Sequence, residues 1–351
     1  MLDNLRSAIR RHWPQTGGLP QMLLGRIEPF SDSAAESVSD SAGWVRDEAA
    51  IMGTAISVEL WAESAEHGAE AVGAVMREMQ RIDAAMSPHK ETSELSRINR
   101  EAPHGWVPLS GEMFGLLERA QQFASFTGGA FDISFASVGR LYDFRAGVAP
   151  DLAALRAALP GIGWRHIELD GLMHAVRFRH SATRIDLGGF AKGHAVDRAA
   201  IELKRLGVRH AFISAGGDSR VIGDRRGRPW SLGIRDPRRE GQLVAVLPLE
   251  DVSVSTSGDY ERCFMRDGER VHHLLDPASG RPARGARSVT VLAPDGLTAE
   301  ALSKMVFVRG PEAGLRLIER VAGVDAVVVD ADGRLHRSSG LMAEPAPLPM
   351  P

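Results

Sequence analysis

Asp186-Leu-Gly-Gly-Phe-Ala-Lys-Gly193 is the densest stretch of this chain, and its flanks decide how the rest is read. On its N-terminal side Arg184 to Leu187 reads as the end of a strand. On its C-terminal side Gly193 to Leu206 carries Val196, Ala199, Leu203 and Leu206 on one face of a helix. A strand over 209–214 follows, closed by Ala215-Gly-Gly-Asp218. Upstream, Ala50 to Trp61 reads as one strand. His67 to Met86 reads as an amphipathic helix through Val72, Val75, Met79, Ile82 and Met86. Further helices fit Met113 to Phe126, stopped at Thr127-Gly128-Gly129, and Leu152 to Leu159. Downstream, strands fit 230–235, 243–249, 271–275, 288–293 and 325–330, with helices over 298–308 and 311–322. Many strands meet few long helices without a strict βαβ alternation. The expected fold is therefore α+β: a single large domain of mixed or antiparallel sheets packed with helices.

The body runs over 44–340. Residues 1–43 form an N-terminal extension with a short helix at Leu2 to His12 and a flexible linker at 31–43, SDSAAESVSDSAG. Residues 341–351 are a Pro-rich tail. The chain has 351 residues, 44% hydrophobic and 25% charged, the balance of a folded globular protein. Its formal charge of −3 argues against non-specific nucleic-acid binding. The single cysteine, Cys263, excludes an internal disulfide and a cysteine-based zinc site. No apolar run is long enough to span a membrane, and the N-terminus lacks the apolar core of a signal peptide or a lipobox. A cytoplasmic protein is expected. Cations are spelled almost entirely as arginine: the only lysines are Lys90, Lys192, Lys204 and Lys304.

Four segments can carry chemistry. Glycines between a strand and a helix let backbone approach a ligand closely, and the helix N-terminus attracts anions. The order of Lys192 and Gly193 excludes a Walker A loop. Two adjacent glycines alone fit a tight turn equally well; Asp186 and Lys192 beside them favour a site. Ala215-Gly-Gly-Asp218 and Thr256-Ser-Gly-Asp-Tyr260 read singly as turns, the latter with hydroxyls suited to phosphate oxygens. His273, in His273-Leu-Leu-Asp-Pro277, fits either a base with an acidic partner or a histidine satisfied at a strand edge.

In order and spacing these segments resemble the ApbE family of FAD:protein FMN transferases. Met52-Gly-Thr54, Met86-Ser-x-His89 and Ser93-Glu-Leu-Ser-Arg-Ile-Asn99 match its opening blocks. Gly129-Ala-Phe-Asp132, the 186–193 and 215–218 blocks, Ile234-Arg-Asp-Pro237, the 256–260 and 273–277 blocks with Gly280, and Ser288-Val-Thr-Val291 follow in order. The resemblance implies an ApbE-like, T-fold-like architecture. It implies cleavage of the FAD pyrophosphate with Mg²⁺ and attachment of FMN by a phosphoester to a Thr or Ser of a target flavoprotein, releasing AMP. It also leaves open a FAD-binding homologue without transferase activity and a FAD pyrophosphatase.

By the matching positions, Asp186 and Lys192 contact FAD, and Met52, Phe131 and Asp132 line its flavin or adenine pocket. The pyrophosphate needs donors and a cation, which Thr256, Ser257, Lys192 and glycine backbone N–H groups could provide. His273 is the base or a phosphate contact, and His89 stands where many relatives carry an aromatic that stacks on the cofactor. The family's metal ligands fall on Glu300 and the backbone carbonyl of Gly189. The stretch Ala299-Glu-Ala-Leu-Ser-Lys304 departs from the family's Ala-Asp-Ala-Leu-Ser-Thr: Glu300 keeps the charge, and Lys304 replaces a neutral ligand with a cation. Lys304 is therefore named as a catalytic candidate, able to stand in for the metal. Without the family, Glu300 and Lys304 read as an ordinary i, i+4 pair on a helix surface.

Overall fold

The computed structural model describes residues 41–341. The expected N-terminal helix, nearly all of the linker and the tail beyond residue 341 lie outside the described residues. Eight strands form the main sheet: β1 (Gly43–Ile51), β2 (Thr54–Ala62), β3 (Ala211–Ala215), β4 (Asp218–Ile222), β5 (Ser253–Gly258), β6 (Ser288–Ala293), β7 (Asp325–Val329) and β8 (Leu335–Arg337). They lie side by side in that order, every neighbouring pair antiparallel. The long helices are α1 (Ala65–Met86), α2 (Glu94–Glu101), α3 (Gly111–Thr127), α4 (Ala191–Arg205) and α5 (Gly296–Ile318). The α+β expectation holds.

Alternation along each strand sends one set of side chains to the helices and the other to the opposite face. Ile56, Val58 and Leu60 of β2, Ile213 of β3 and Val289 and Val291 of β6 join the main core with α1, α4 and α5. On the far face Val221, Val254 and Leu292 pack with Trp230 and Leu249, both from a hairpin of strands 230–235 and 243–249.

Several local readings change. The single strand expected over 50–61 is a hairpin, because Met52 (φ 56°) and Gly53 (φ 68°) both adopt left-handed backbone and turn the chain back. Arg184 to Leu187 joins no ladder. Its backbone is held by side chains instead: Asn99 accepts from Ile185 N at 2.8 Å and donates to Ile185 O at 2.8 Å. The 271–275 strand is two short ones, Glu269–His272 and Leu275–Asp276. The helices at 298–308 and 311–322 are α5, kinked at Gly310 (φ 77°) ahead of Pro311.

The largest omission is central. Strands β4 and β5 sit in the middle of the sheet, and Thr256, Ser257 and Gly258, read as part of a turn, end β5. Most of their helix-facing positions are polar: Asp218 on β4, and Ser253, Ser255 and Ser257 on β5, are all buried. A strand whose core face is serine gives no hydrophobic alternation to detect.

Candidate functional site

Five chain segments converge on a cleft of ≈ 1070 Å³. It is lined by the loop before α4 with the helix's first turn (Asp186, Gly188, Gly189, Lys192), the β3–β4 turn with the start of β4 (Gly216, Gly217, Asp218), the end of β5 (Thr256, Ser257), the 260–273 segment (Tyr260, Arg262, His273) and Lys304 of α5. His89, Phe131 and Asp132 also border it. Thus ten of the residues singled out in the sequence line this one cleft: His89, Phe131, Asp132, Asp186, Gly189, Lys192, Thr256, Ser257, His273 and Lys304. Met52 does not; it borders a separate shallow depression with Gln80 and Asp83. Glu300 is fully buried beneath the wall rather than on it.

The floor is a set of four charges drawn from α4, β4 and α5. Lys192 Nζ donates to Asp218 Oδ2 at 2.6 Å and also to Glu300 Oε1. Asp218 Oδ1 accepts from Ser255 Oγ at 2.6 Å, and Glu300 Oε2 from Gly193 N at 2.7 Å. Ser303 ties β5 to α5, with its Oγ 3.1 Å from Ser255 Oγ and 2.8 Å from Ser257 Oγ. Lys304 Nζ stands 3.8 Å from Glu300 Oε1. Burial opposes the charge on Lys192, yet Asp218 and Glu300 together raise its pKa above the ordinary lysine value. Burial, and then the Asp218 charge, push Glu300 up. Asp218 is held down because the Lys192 and Lys304 charges outweigh its burial. Burial lowers Lys304 against the pull of Glu300 and Asp218. The Glu300–Lys304 surface pair expected from spacing alone is therefore an interior one.

Close approach of α4 and α5 makes these contacts possible. They cross at Gly193 and Gly296, where a Cβ on Gly193 would stand 2.2 Å from Gly296 O. Asp197 then caps α5, accepting from Gly296 N at 2.8 Å and Leu297 N at 3.2 Å. The last glycine of the 186–193 block serves helix packing, and Phe190 anchors the block in the core against Phe123 and Phe131, with ring centroids at 6.0 and 5.4 Å.

Several candidates have their polar atoms committed within the chain. Asp132 caps the turn that follows it, its Oδ1 accepting from Ser134 N at 2.8 Å and its Oδ2 from Trp164 N at 2.7 Å. Asp186 Oδ1 accepts from Gly188 N, and burial raises its pKa. Thr256 Oγ1 pairs with Thr290 Oγ1 at 2.9 Å. Phe131 is only 5% exposed, so it offers the cleft little ring surface. The half-buried Tyr142 and Phe144, stacked with centroids 5.5 Å apart, offer more and were not foreseen from the sequence. Asp218 and Arg262 were also missed as site residues. Asp218 stood in a quoted block, whereas nothing local to Arg262 distinguishes it from the chain's many arginines.

His273 is different. Its Nδ1 is buried without a hydrogen-bond partner among the described residues. Burial first, then the charges of Lys304 and Arg262, push its pKa from 6.5 down to about 3. Between those values the unfolded chain binds a proton that the folded chain refuses, so this stability is present above pH 6.5 and is lost as pH falls toward 3. Each unit of that window costs up to about 1.4 kcal/mol. His194 and His272 are lowered too and add to the same slope. Urea titrations across this range are expected to show His273→Gln with a shallower loss than the parent; parallel curves would contradict the assignment.

The site offers a divalent metal a poor seat. Both Glu300 oxygens already have donors from the chain. A Cβ placed on Gly189 would lie 3.5 Å from Lys304 Cε, so the lysine stem runs over that glycine. An ion bound to Glu300 and the Gly189 carbonyl would sit beside two ammonium groups. Among the described residues no group of three or more His, Cys, Asp or Glu side chains is placed to hold a metal.

The model of the ApbE family matches residues 52–328. A FAD:protein FMN transferase of Treponema pallidum is 34% identical over 282 residues, 75% of this chain and 78% of that protein. The ApbE protein of Thermotoga maritima has a similar structure, with a TM-score of 0.80 at 32% identity, over 86% of this chain and 98% of that one. The apo form of the flavinyl transferase ApbE of Pseudomonas stutzeri gives a TM-score of 0.75 at 28% identity, over 86% and 96%.

Proposed function

The chain belongs to the ApbE family, and from that membership we propose that it is a FAD:protein FMN transferase, moving FMN from FAD to a Thr or Ser hydroxyl of a flavoprotein acceptor. The observation that carries this reading is the convergence of Asp186, Lys192, Thr256, His273 and Lys304, far apart in sequence, on one cleft. Its volume, ≈ 1070 Å³, suits a dinucleotide rather than a small metabolite. Tyr142 and Phe144 supply a flat apolar wall for a ring system. The backbone N–H groups of Gly189 and Gly217, with Lys304 and Arg262, supply donors and positive charge for a diphosphate.

In the transfer, the acceptor oxygen forms a bond to the FMN phosphorus while the bond from that phosphorus to the bridging oxygen breaks. AMP departs with the bridging oxygen and its electron pair, and the hydroxyl proton passes to a base. The His273 ring, which lines the cleft, is the group placed to take that proton. The negative charge of a bound diphosphate offsets Lys304 and Arg262 and raises the basicity of the ring. No step of this reading runs through Mg²⁺, for which the residues present do not fit.

Incubating the purified chain with FAD and a flavoprotein bearing an acceptor Thr or Ser is expected to add the mass of FMN to that protein, with one AMP released per modification. Replacing the acceptor hydroxyl residue by alanine should abolish the mass gain. AMP release without any acceptor gain would establish hydrolysis instead, and no AMP with any acceptor would sink the enzyme reading. Among the described residues no helix is long and apolar enough to cross a membrane.

A further inference from the structure

All four carboxylate oxygens on the site floor are satisfied without Lys304. Asp218 takes Lys192 and Ser255, and Glu300 takes Lys192 and Gly193 N. Lys304 Nζ is 3.8 Å from Glu300 Oε1, outside hydrogen-bond range, and its hydrogen bond within the described residues is a long one, 3.4 Å to Ser303 Oγ. An ammonium carries three donors, and here most of that capacity is left over. The group borders the cleft over Gly189, and its charge reaches His273, which has its own unpartnered nitrogen. Lysine is also a costly choice for a mostly buried position unless its charge meets an opposite one.

On the FAD reading above, we infer that Lys304 is a resident cation for the FAD diphosphate, so that this chain binds FAD without a divalent metal. Lys192 neutralises the floor and holds it together, while Lys304 faces the ligand. The diphosphate brings negative charge that favours the ammonium form, and a fixed cation stabilises the oxygen on which charge develops as AMP leaves. The position it guards is the one a metal on Glu300 and Gly189 would need.

The test is FAD binding by flavin fluorescence quenching, with and without EDTA, on the full chain. The parent is expected to bind FAD equally in EDTA and in Mg²⁺. Lys304→Gln should weaken FAD binding in EDTA by about tenfold or more, the loss of a charge-assisted hydrogen bond, while riboflavin, which lacks the diphosphate, binds as before. Lys304→Arg should recover most of the affinity, and the thermal midpoint of each variant checks that it is folded. Parent FAD binding that EDTA weakens tenfold would overturn this inference alone. Unchanged FAD affinity in a folded Lys304→Gln variant would do the same. Failure of the parent to bind FAD under either condition would overturn the FAD reading together with it.

Discussion

Lys192→Met is expected to be the most damaging single change in the site, lowering stability at neutral pH by about 3–5 kcal/mol, the usual cost of removing one partner of a buried ion pair. The substitution keeps the bulk of the side chain but strands two carboxylates that the lysine now joins, Asp218 at 2.6 Å and Glu300. Lys304 hydrogen-bonds neither carboxylate, its Nζ standing 3.8 Å from Glu300 Oε1. The pH dependence carries a sign. Glu300 already has a raised pKa from burial and the Asp218 charge, and removing Lys192 pushes it higher. A carboxylate with a raised folded pKa destabilises progressively as pH rises through the range between its unfolded and folded values. The variant should therefore regain part of its stability on acidification, over a range that reaches higher pH than in the parent, whose Glu300 is raised less. Urea midpoints measured through that range check this, and Lys192→Met combined with Glu300→Gln should recover part of the loss at neutral pH. A Lys192→Met protein as stable as the parent would show that the four charges are not coupled.

Gly193→Ala is the second large effect, and intrinsic propensity points the wrong way for it. Alanine in place of glycine inside a helix ordinarily gains up to about 1 kcal/mol. Here the added Cβ would meet Gly296 O at 2.2 Å and Leu297 N at 2.9 Å, backbone atoms that cannot swing aside. Relief requires α4 and α5 to separate, which pulls Gly193 N away from Glu300 Oε2, now at 2.7 Å, and disturbs the Asp197 cap on α5. Overpacking of this kind costs about 1–3 kcal/mol, and the broken contacts add to it. The expected net is a loss of about 3 kcal/mol and weaker FAD binding, since Lys192 and Lys304 ride on the two helices. Gly296→Ala should behave alike, its Cβ 2.5 Å from Gly193 O. A thermal midpoint raised by either substitution would refute the close-crossing account.

Much of the fold was legible because its helices carry ordinary amphipathic spacing and several of its strands are runs of apolar, β-branched residues. Helix α1 and strands 230–235, 243–249 and 288–293 fall where the pattern puts them. The pattern fails where the core face is polar. Ser253, Ser255 and Ser257 are buried on a central strand because Ser303 and Asp218 wait opposite two of them, and such partners are invisible to a local window. It fails again at Met52-Gly53, where a hairpin turn built on a positive-φ methionine looks like continuous strand.

The ordered blocks in the sequence determined the family, the α+β class and most of the cleft wall, because residue type and spacing along one chain suffice for those. They also marked Lys304 as the departure. What the sequence left undecided was the direction each charge faces. Glu300 and Lys304 are four apart on a helix, a spacing that fits a solvent-exposed pair as well as a buried one. Only the crossing of α4 over α5 at Gly193 and Gly296 turns Glu300 inward to Lys192 and leaves Lys304 at the cleft, because the environment of a charge is set by what packs against it and not by its neighbours in sequence.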